Sequence, residues 1–268
     1  MNRIDRALQT VTDRREKMLS VFLTAGYPSI KATEELIVSL AKSGVGLFEI
    51  GFPFSDPIAD GPVIQRSSEQ ALKNGITWQD ILQLAKRVRA RTEVPLILMT
   101  YSNAFYCRTW KQSLAQISKA GYDGIIVPDL IPEESSEIDA LCAARNLRHV
   151  YLAAPTSSDE RLQHIGKTAG GFIYCVSVAG VTGARVKLPR EGITQFLHRV
   201  RQYSRVPILL GFGISSPEQC RDFSKAADGF IIGSKMIETI SEPLPLPKLI
   251  EKAKKLITPF AKIMIQKK

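Results

Sequence analysis

Long apolar runs are missing from this sequence: none approaches the roughly 18 residues that a membrane-spanning helix requires. The opening segment, 1–17, interleaves Leu and Val with Arg, Asp and Glu and has no apolar core of the signal-peptide kind, so a cytoplasmic location is expected. Cysteines are few and scattered. Cys107, Cys142, Cys175 and Cys220 form no CxxC pair, which argues against zinc or thioredoxin-like chemistry and for free thiols in a reducing compartment. Histidines number three. His149, His164 and His198 lie in or beside helix and strand patterns with no Ser or Cys nucleophile motif near them, which argues against a catalytic triad. Neither GxGxxG nor GxxxxGK(S/T) occurs, so dinucleotide and P-loop sites are disfavoured, and the acids do not cluster with histidine at metal spacing.

Positive charge, by contrast, is in excess: 36 Lys and Arg against 26 Asp and Glu, a formal net charge of +10. Much of the excess lies in the tail, where Lys248, Lys252, Lys254, Lys255, Lys262, Lys267 and Lys268 face only Glu251. No aromatics interleave with these lysines as base-stacking platforms would. The expectation is the solvated face of an amphipathic helix with Leu249, Ala253, Leu256, Ile257 and Phe260 turned inward.

Short β-branched runs alternate with amphipathic stretches from end to end. Strands are expected at 19–24, 47–51, 96–100, 124–127, 149–153, 172–176, 208–211 and 229–232. They are nearly continuous apolar runs, the signature of parallel strands covered on both faces. Helices are expected at 30–43, 63–74, 78–91, 110–120, 133–145, 158–168, 189–203, 217–226 and 246–263, several behind good caps such as Thr77, Ser158 and Ser216. No linker or low-complexity segment divides the series. The expectation is α/β: a single (β/α)8 TIM barrel over 1–268 with extra N-terminal and C-terminal helices. An open doubly wound sheet is the alternative, but the eighth strand has a natural place only in a closed barrel.

In a barrel, chemistry sits where strands end and βα loops begin. The segment 48–62 has that character. Glu49 stands between Phe48 and Ile50 in an apolar strand, where a carboxylate is costly to bury. A Pro/Gly-rich loop follows that carries Asp56 and Asp60. In an apolar mouth the Glu49 pKa should rise, which suits a general acid/base. Asp60, before Gly61-Pro62, is by itself better read as a turn residue and only beside Glu49 does catalysis become an even reading, while Asp56, before Pro57, is better read as a turn or surface contact. Phosphate is suggested by three glycine sites that each follow a strand: Gly180-Val181-Thr182-Gly183, Gly211-Phe212-Gly213-Ile214-Ser215 and Gly233-Ser234. Two occupy the loops after strands seven and eight, where barrels commonly bind phosphate, and Ser234 would open a helix whose first amides favour an anion. Phe22, Tyr101 and Tyr174 at strand ends could wall a flat aromatic substrate or simply pack the barrel.

These residues resemble the tryptophan synthase α subunit family. The matching pieces are Phe22-Leu23-Thr24-Ala25-Gly26-Tyr27-Pro28, Glu49 to Pro57 with Ala59-Asp60-Gly61-Pro62, Met99-Thr100-Tyr101-Ser102-Asn103, Pro128-Asp129-Leu130, and the two glycine motifs Gly180–183 and Gly211–Ser215. Ala104, Ile131 and the pair Val178-Ala179 depart from the family pattern. The resemblance implies retro-aldol cleavage of indole-3-glycerol phosphate to indole and glyceraldehyde 3-phosphate. It implies Glu49 as the acid/base and Asp60 as the partner of the indole N–H. Phe22, Tyr101 and Tyr174 would line the indole pocket. Thr182, Gly183, Gly211, Phe212, Gly213, Gly233 and Ser234 would bind the rest of the substrate, with Thr182 on a closing loop. It further implies no cofactor in this chain, and a pyridoxal-phosphate-bearing β subunit that receives indole in an α2β2 heterotetramer and is faced by Asp56. A subunit that mainly activates its β partner, or another phosphate-binding barrel isomerase or epimerase, are the alternatives.

Overall fold

A computed structural model describes residues 1–106, 108–176, 189–211 and 213–265, with the backbone of 178–179 and 186–187. Eight parallel strands form a closed barrel: β1 (Met18–Thr24), β2 (Leu47–Gly51), β3 (Leu96–Met99), β4 (Gly124–Ile126), β5 (Arg148–Ala153), β6 (Ile173–Val176), β7 (Ile208–Gly211) and β8 (Gly229–Ile232). Each pairs with its neighbours in chain order, and the ring closes where β1 meets β8, with Met18 opposite Gly229 and Val21 opposite Ile232. Every residue of β1, β2, β3, β7 and β8 is buried, because interior side chains fill one face and a helical layer covers the other. A two-stranded antiparallel pair, Val178–Ala179 with Val186–Lys187, stands apart from the barrel.

The helices form because they present apolar stripes to the core, and several begin at a side chain that satisfies free amides. Ser29 caps Ile30–Ala41, Ser158 caps Asp159–Thr168, and Thr77 and Ser216 form full capping boxes on Trp78–Arg89 and Pro217–Phe223. The final helix, Leu246–Met264, buries Leu249, Ala253, Ile257 and Phe260 as expected, with Leu256 half-buried. Residues 133–145 do not make one helix. The Ser135 amide donates to the Pro132 carbonyl at 3.3 Å and closes a 3₁₀ turn at Pro132–Glu134, and the Ser135 hydroxyl donates to the same carbonyl at 2.7 Å, before the helix Ser136–Ala143 begins.

The N-terminal helix, Arg3–Asp13, lies under the floor of the barrel, the end where strands begin. Ile4 is fully buried there against the starts of β4 and β5, since a Cβ placed on Gly124 would stand 3.0 Å from its Cδ1 and 2.6 Å from the Arg148 carbonyl oxygen. The Asn2 side chain accepts from the Ile4 amide and donates to the Asp123 carbonyl at 2.8 Å. The buried Asp123 carboxylate is held by Arg89 at 2.6 Å, Arg3 at 3.1 Å and the Leu96 amide at 2.9 Å. Among the described residues no helix is long and apolar enough to cross a membrane.

Candidate active site

The opposite end of the barrel carries the candidate site. Ser20 and Phe22 lie two residues apart on β1 and so share a face. Phe22 pairs in register with Glu49 on β2. Glu49 turns into the barrel interior, where it has no solvent exposure. One carboxyl oxygen accepts from the Ser20 hydroxyl at 2.9 Å, and the other has no hydrogen-bond partner among the described residues. Burial outweighs the Ser20 hydrogen bond and pushes the Glu49 pKa up to about 8. At neutral pH the group therefore holds a proton and can give it up, as an acid/base must.

Asp60 sits in the loop between β2 and the helix Pro62–Lys73. The Tyr101 hydroxyl, just past β3, donates to its carboxylate at 3.1 Å and accepts from the Ala59 amide at 3.0 Å. Phe54, earlier in the same loop, stacks on the Tyr101 ring with centroids 5.2 Å apart. Gln65 donates to the Asp60 carbonyl at 3.1 Å. The loop is thus pinned from below by one phenol, and burial beside Asp60 raises the Tyr101 pKa and keeps that phenol protonated.

A cleft of about 710 Å³, counted to its open mouth, lies over these groups, and Phe22, Asp60, Met99, Tyr174, Gly213 and Ser234 are among its walls. Two glycines set its shape. A Cβ on Gly51 would stand 2.5 Å from the Phe22 ring, and one on Gly211 would stand 2.5 Å from the Tyr174 hydroxyl. Each aromatic wall occupies the space that a side chain at the glycine would need. Burial, then Glu49, then Asp60 raise the Tyr174 pKa well above its ordinary value, so the phenol lies within the field of both acids. Gly213, at φ 93°, takes a left-handed backbone conformation that favours glycine.

Of the residues singled out in the sequence, Phe22, Asp60, Tyr174, Gly213, Gly233 and Ser234 line one cleft. Glu49 lies buried beneath it. Tyr101 supports Asp60 from behind rather than joining the cleft walls, and Gly211 makes room for Tyr174. Asp56 is exposed at the rim, where its carboxylate accepts from Ser55, near Ile58 at 64% exposure. Thr182, Gly183 and Phe212 lie outside the described residues. Ile64, Met99, Lys235 and Glu238 also line the cleft, and none of them stood among the site residues expected from sequence, where Lys235 beside the Gly233-Ser234 turn points to no specific Schiff-base site. Met99 was within reach, because it stands two residues beyond the inward-facing Ile97 on β3. Among the described residues no three His, Cys, Asp or Glu side chains converge as a metal-holding set.

Comparison with known proteins bears on this geometry. The family model for the tryptophan synthase alpha chain matches residues 8–264. The tryptophan synthase alpha chain of Geotalea uraniireducens is 42% identical over 242 residues, which is 90% of this chain and 90% of that one. That of Geotalea daltonii is 40% identical over 242 residues, 90% of this chain and 91% of its own length. The crystal structure of tryptophan synthase subunit alpha from Legionella pneumophila superposes with a TM-score of 0.90 at 34% identity, covering 98% of both chains. A ligand-free tryptophan synthase structure from M. tuberculosis superposes at 0.87 with 27% identity over 99% of this chain and 100% of that one. With a family model spanning nearly its whole length and relatives at 40% identity over nine-tenths of it, the chain belongs to the tryptophan synthase alpha chain family, a family of lyases.

Proposed function

We propose that this chain, acting as one barrel domain, cleaves indole-3-glycerol phosphate to indole and glyceraldehyde 3-phosphate, with Glu49 as acid/base and Asp60 as the anchor of the indole nitrogen. The observation that carries the assignment of roles is the state of Glu49: wholly buried, bonded by one hydroxyl, and protonated up to about pH 8.

The reaction divides into two proton movements. The protonated Glu49 delivers its proton to C3 of the indole, which leaves positive charge on the ring. Asp60 accepts the indole N–H, and its negative charge stabilises that cation. The Glu49 carboxylate then takes the proton of the C3′ hydroxyl. The C3–C3′ bond breaks, its electrons return to the indole ring, and the C3′ oxygen becomes the aldehyde of glyceraldehyde 3-phosphate. Glu49 ends protonated and ready for another turnover. General acid–base catalysis of this kind is worth about 10²–10⁴ in rate.

The walls suit the two ends of such a substrate. Phe22, Met99, Ile64 and Tyr174 present apolar surface to a flat ring, while Gly213, Gly233 and Ser234 present backbone amides and a hydroxyl to a phosphate. The helix that Ser234 opens, Ser234–Thr239, has six residues, so the individual amides and the hydroxyl matter more here than a helix dipole. Thr182 and Gly183 are assigned to substrate closure and phosphate by the family resemblance alone. The relatives' names imply a β subunit as partner. In the proposed assembly it carries the pyridoxal phosphate, receives indole and meets the rim at Asp56 in an α2β2 complex.

The test is indole release from indole-3-glycerol phosphate by the purified chain, alone and with its β subunit. Indole formation that survives with β absent and rises with β present supports the reading. A pair that makes tryptophan from indole and serine but not from indole-3-glycerol phosphate overturns it.

A further inference from the structure

The phosphate end of the cleft holds a charge arrangement that the family motifs did not point to. Among its described lining residues the cleft has two carboxylates, Asp60 and Glu238, and one cation, Lys235. Lys235 follows directly on Gly233-Ser234 and lines the same cleft as Gly213 and Ser215. Its ammonium stands 3.5 Å from the Glu238 carboxylate one turn further along the helix, and both side chains are only about half exposed, at 43% and 49%. An ion pair at that distance and exposure is weak, and a surface i,i+3 pair of this kind is worth a few tenths of a kcal/mol. A phosphate monoester is close to a dianion at neutral pH and offers three acceptor oxygens, a far better partner for an ammonium than one distant carboxylate. The same dianion approaching Gly213 and Ser234 would meet the Glu238 carboxylate as a like charge.

We propose that Lys235 is a substrate-binding residue for the phosphate group, paired with Glu238 and surrendered by it when the phosphate binds. This rests on the reading of Gly213, Gly233 and Ser234 as the phosphate end. Lys235 then supplies the charge neutralisation that amides and a hydroxyl lack, and Glu238 sets the threshold by competing for it. Such a device discriminates between ligands by charge: a dianion displaces Glu238, and neutral indole does not. It acts on binding of substrate and of the phosphorylated product, and leaves the proton movements at Glu49 untouched.

The experiment is calorimetric titration of the purified chain with glycerol 3-phosphate, a stable mimic of the phosphorylated arm, together with steady-state kinetics on indole-3-glycerol phosphate with the β subunit present. K235A is expected to weaken glycerol 3-phosphate binding and to raise KM by about fivefold, with kcat within twofold and inhibition by indole unchanged. K235R should recover most of the loss. E238Q should tighten glycerol 3-phosphate binding by about two- to threefold. The wild-type KM should climb with ionic strength more steeply than that of K235A. If the wild type binds glycerol 3-phosphate and K235A binds it equally well, the role of Lys235 is overturned while the phosphate end stands. If the wild type does not bind it, the phosphate end and the proposal fall together. If K235A lowers kcat tenfold at unchanged KM, Lys235 acts elsewhere and the proposal is again overturned.

Discussion

The two ends of this barrel each bury a carboxyl group, and they treat it in opposite ways. At the floor, Asp123 is given two guanidinium groups and a backbone amide, which oppose the burial that still raises its pKa. At the mouth, Glu49 is buried more completely and is given one serine hydroxyl. The fold is evidently able to pair a buried acid with cations, and it does so where the acid serves the architecture. Among the described residues no cation is paired with Glu49, and a buried acid without one is driven to keep its proton, the state a proton donor needs.

The contrast can be broken most sharply by removing each acid in turn. E49Q keeps the volume and removes the proton donor, and indole release is expected to fall by about 10³-fold with thermal stability retained. A variant within tenfold of wild type would remove Glu49 from the acid/base role. D123A should do the reverse. It strands Arg89 and part of Arg3 at the floor, with an expected loss of about 3 kcal/mol in urea denaturation, while the protein that remains folded keeps its specific activity.

The pH dependence of stability separates the two acids next. Glu49 has a folded pKa of about 8 against an ordinary 4.5. Between those values the folded state holds a proton that the unfolded state has lost, so the contribution of Glu49 to stability is fully present below pH 4.5, declines as pH rises and levels off above about 8. Wild type should lose about 1.4 kcal/mol per pH unit across that window relative to E49Q. Parallel curves for the two proteins would show that Glu49 is not protonated in the folded state. The smallest effect is expected for S20A. The Ser20 hydrogen bond favours the charged form, so its loss should move the pH–rate limb assigned to Glu49 upward by less than a unit, with kcat reduced only a few-fold. A downward shift would mean that Ser20 does not bond the carboxylate.

Sequence and structure agree where local chemistry decides. The eight barrel strands were legible because parallel strands covered on both faces are written as unbroken apolar runs, and Glu49 was legible because it interrupts one of them. The features that escaped depend on neighbours far apart in the chain. Asp123 gave no sign of its clamp, since Arg3 and Arg89 lie 120 and 34 residues away. The N-terminal helix was expected without bounds, because only Ile4 and Leu8 of its eleven residues are buried and the apolar stripe is too thin to mark its ends. Lys235 and Glu238 look like any exposed helical pair until the barrel turns that short helix toward the mouth. The break at Ser135 goes with a residue whose amide and hydroxyl both turn back to the Pro132 carbonyl and whose hydroxyl also meets Tyr151, sixteen residues on.

The glycines behind Phe22 and Tyr174 give this cleft a one-way mutability. A substitution at Gly51 or Gly211 can only add atoms, and the added atoms meet an aromatic ring or its hydroxyl at about 2.5 Å. Point changes at those two positions can therefore shrink or distort the cavity and never enlarge it. A lineage selected for a bulkier indole has to begin by trimming Phe22 or Tyr174, and only afterwards does either glycine become free to vary.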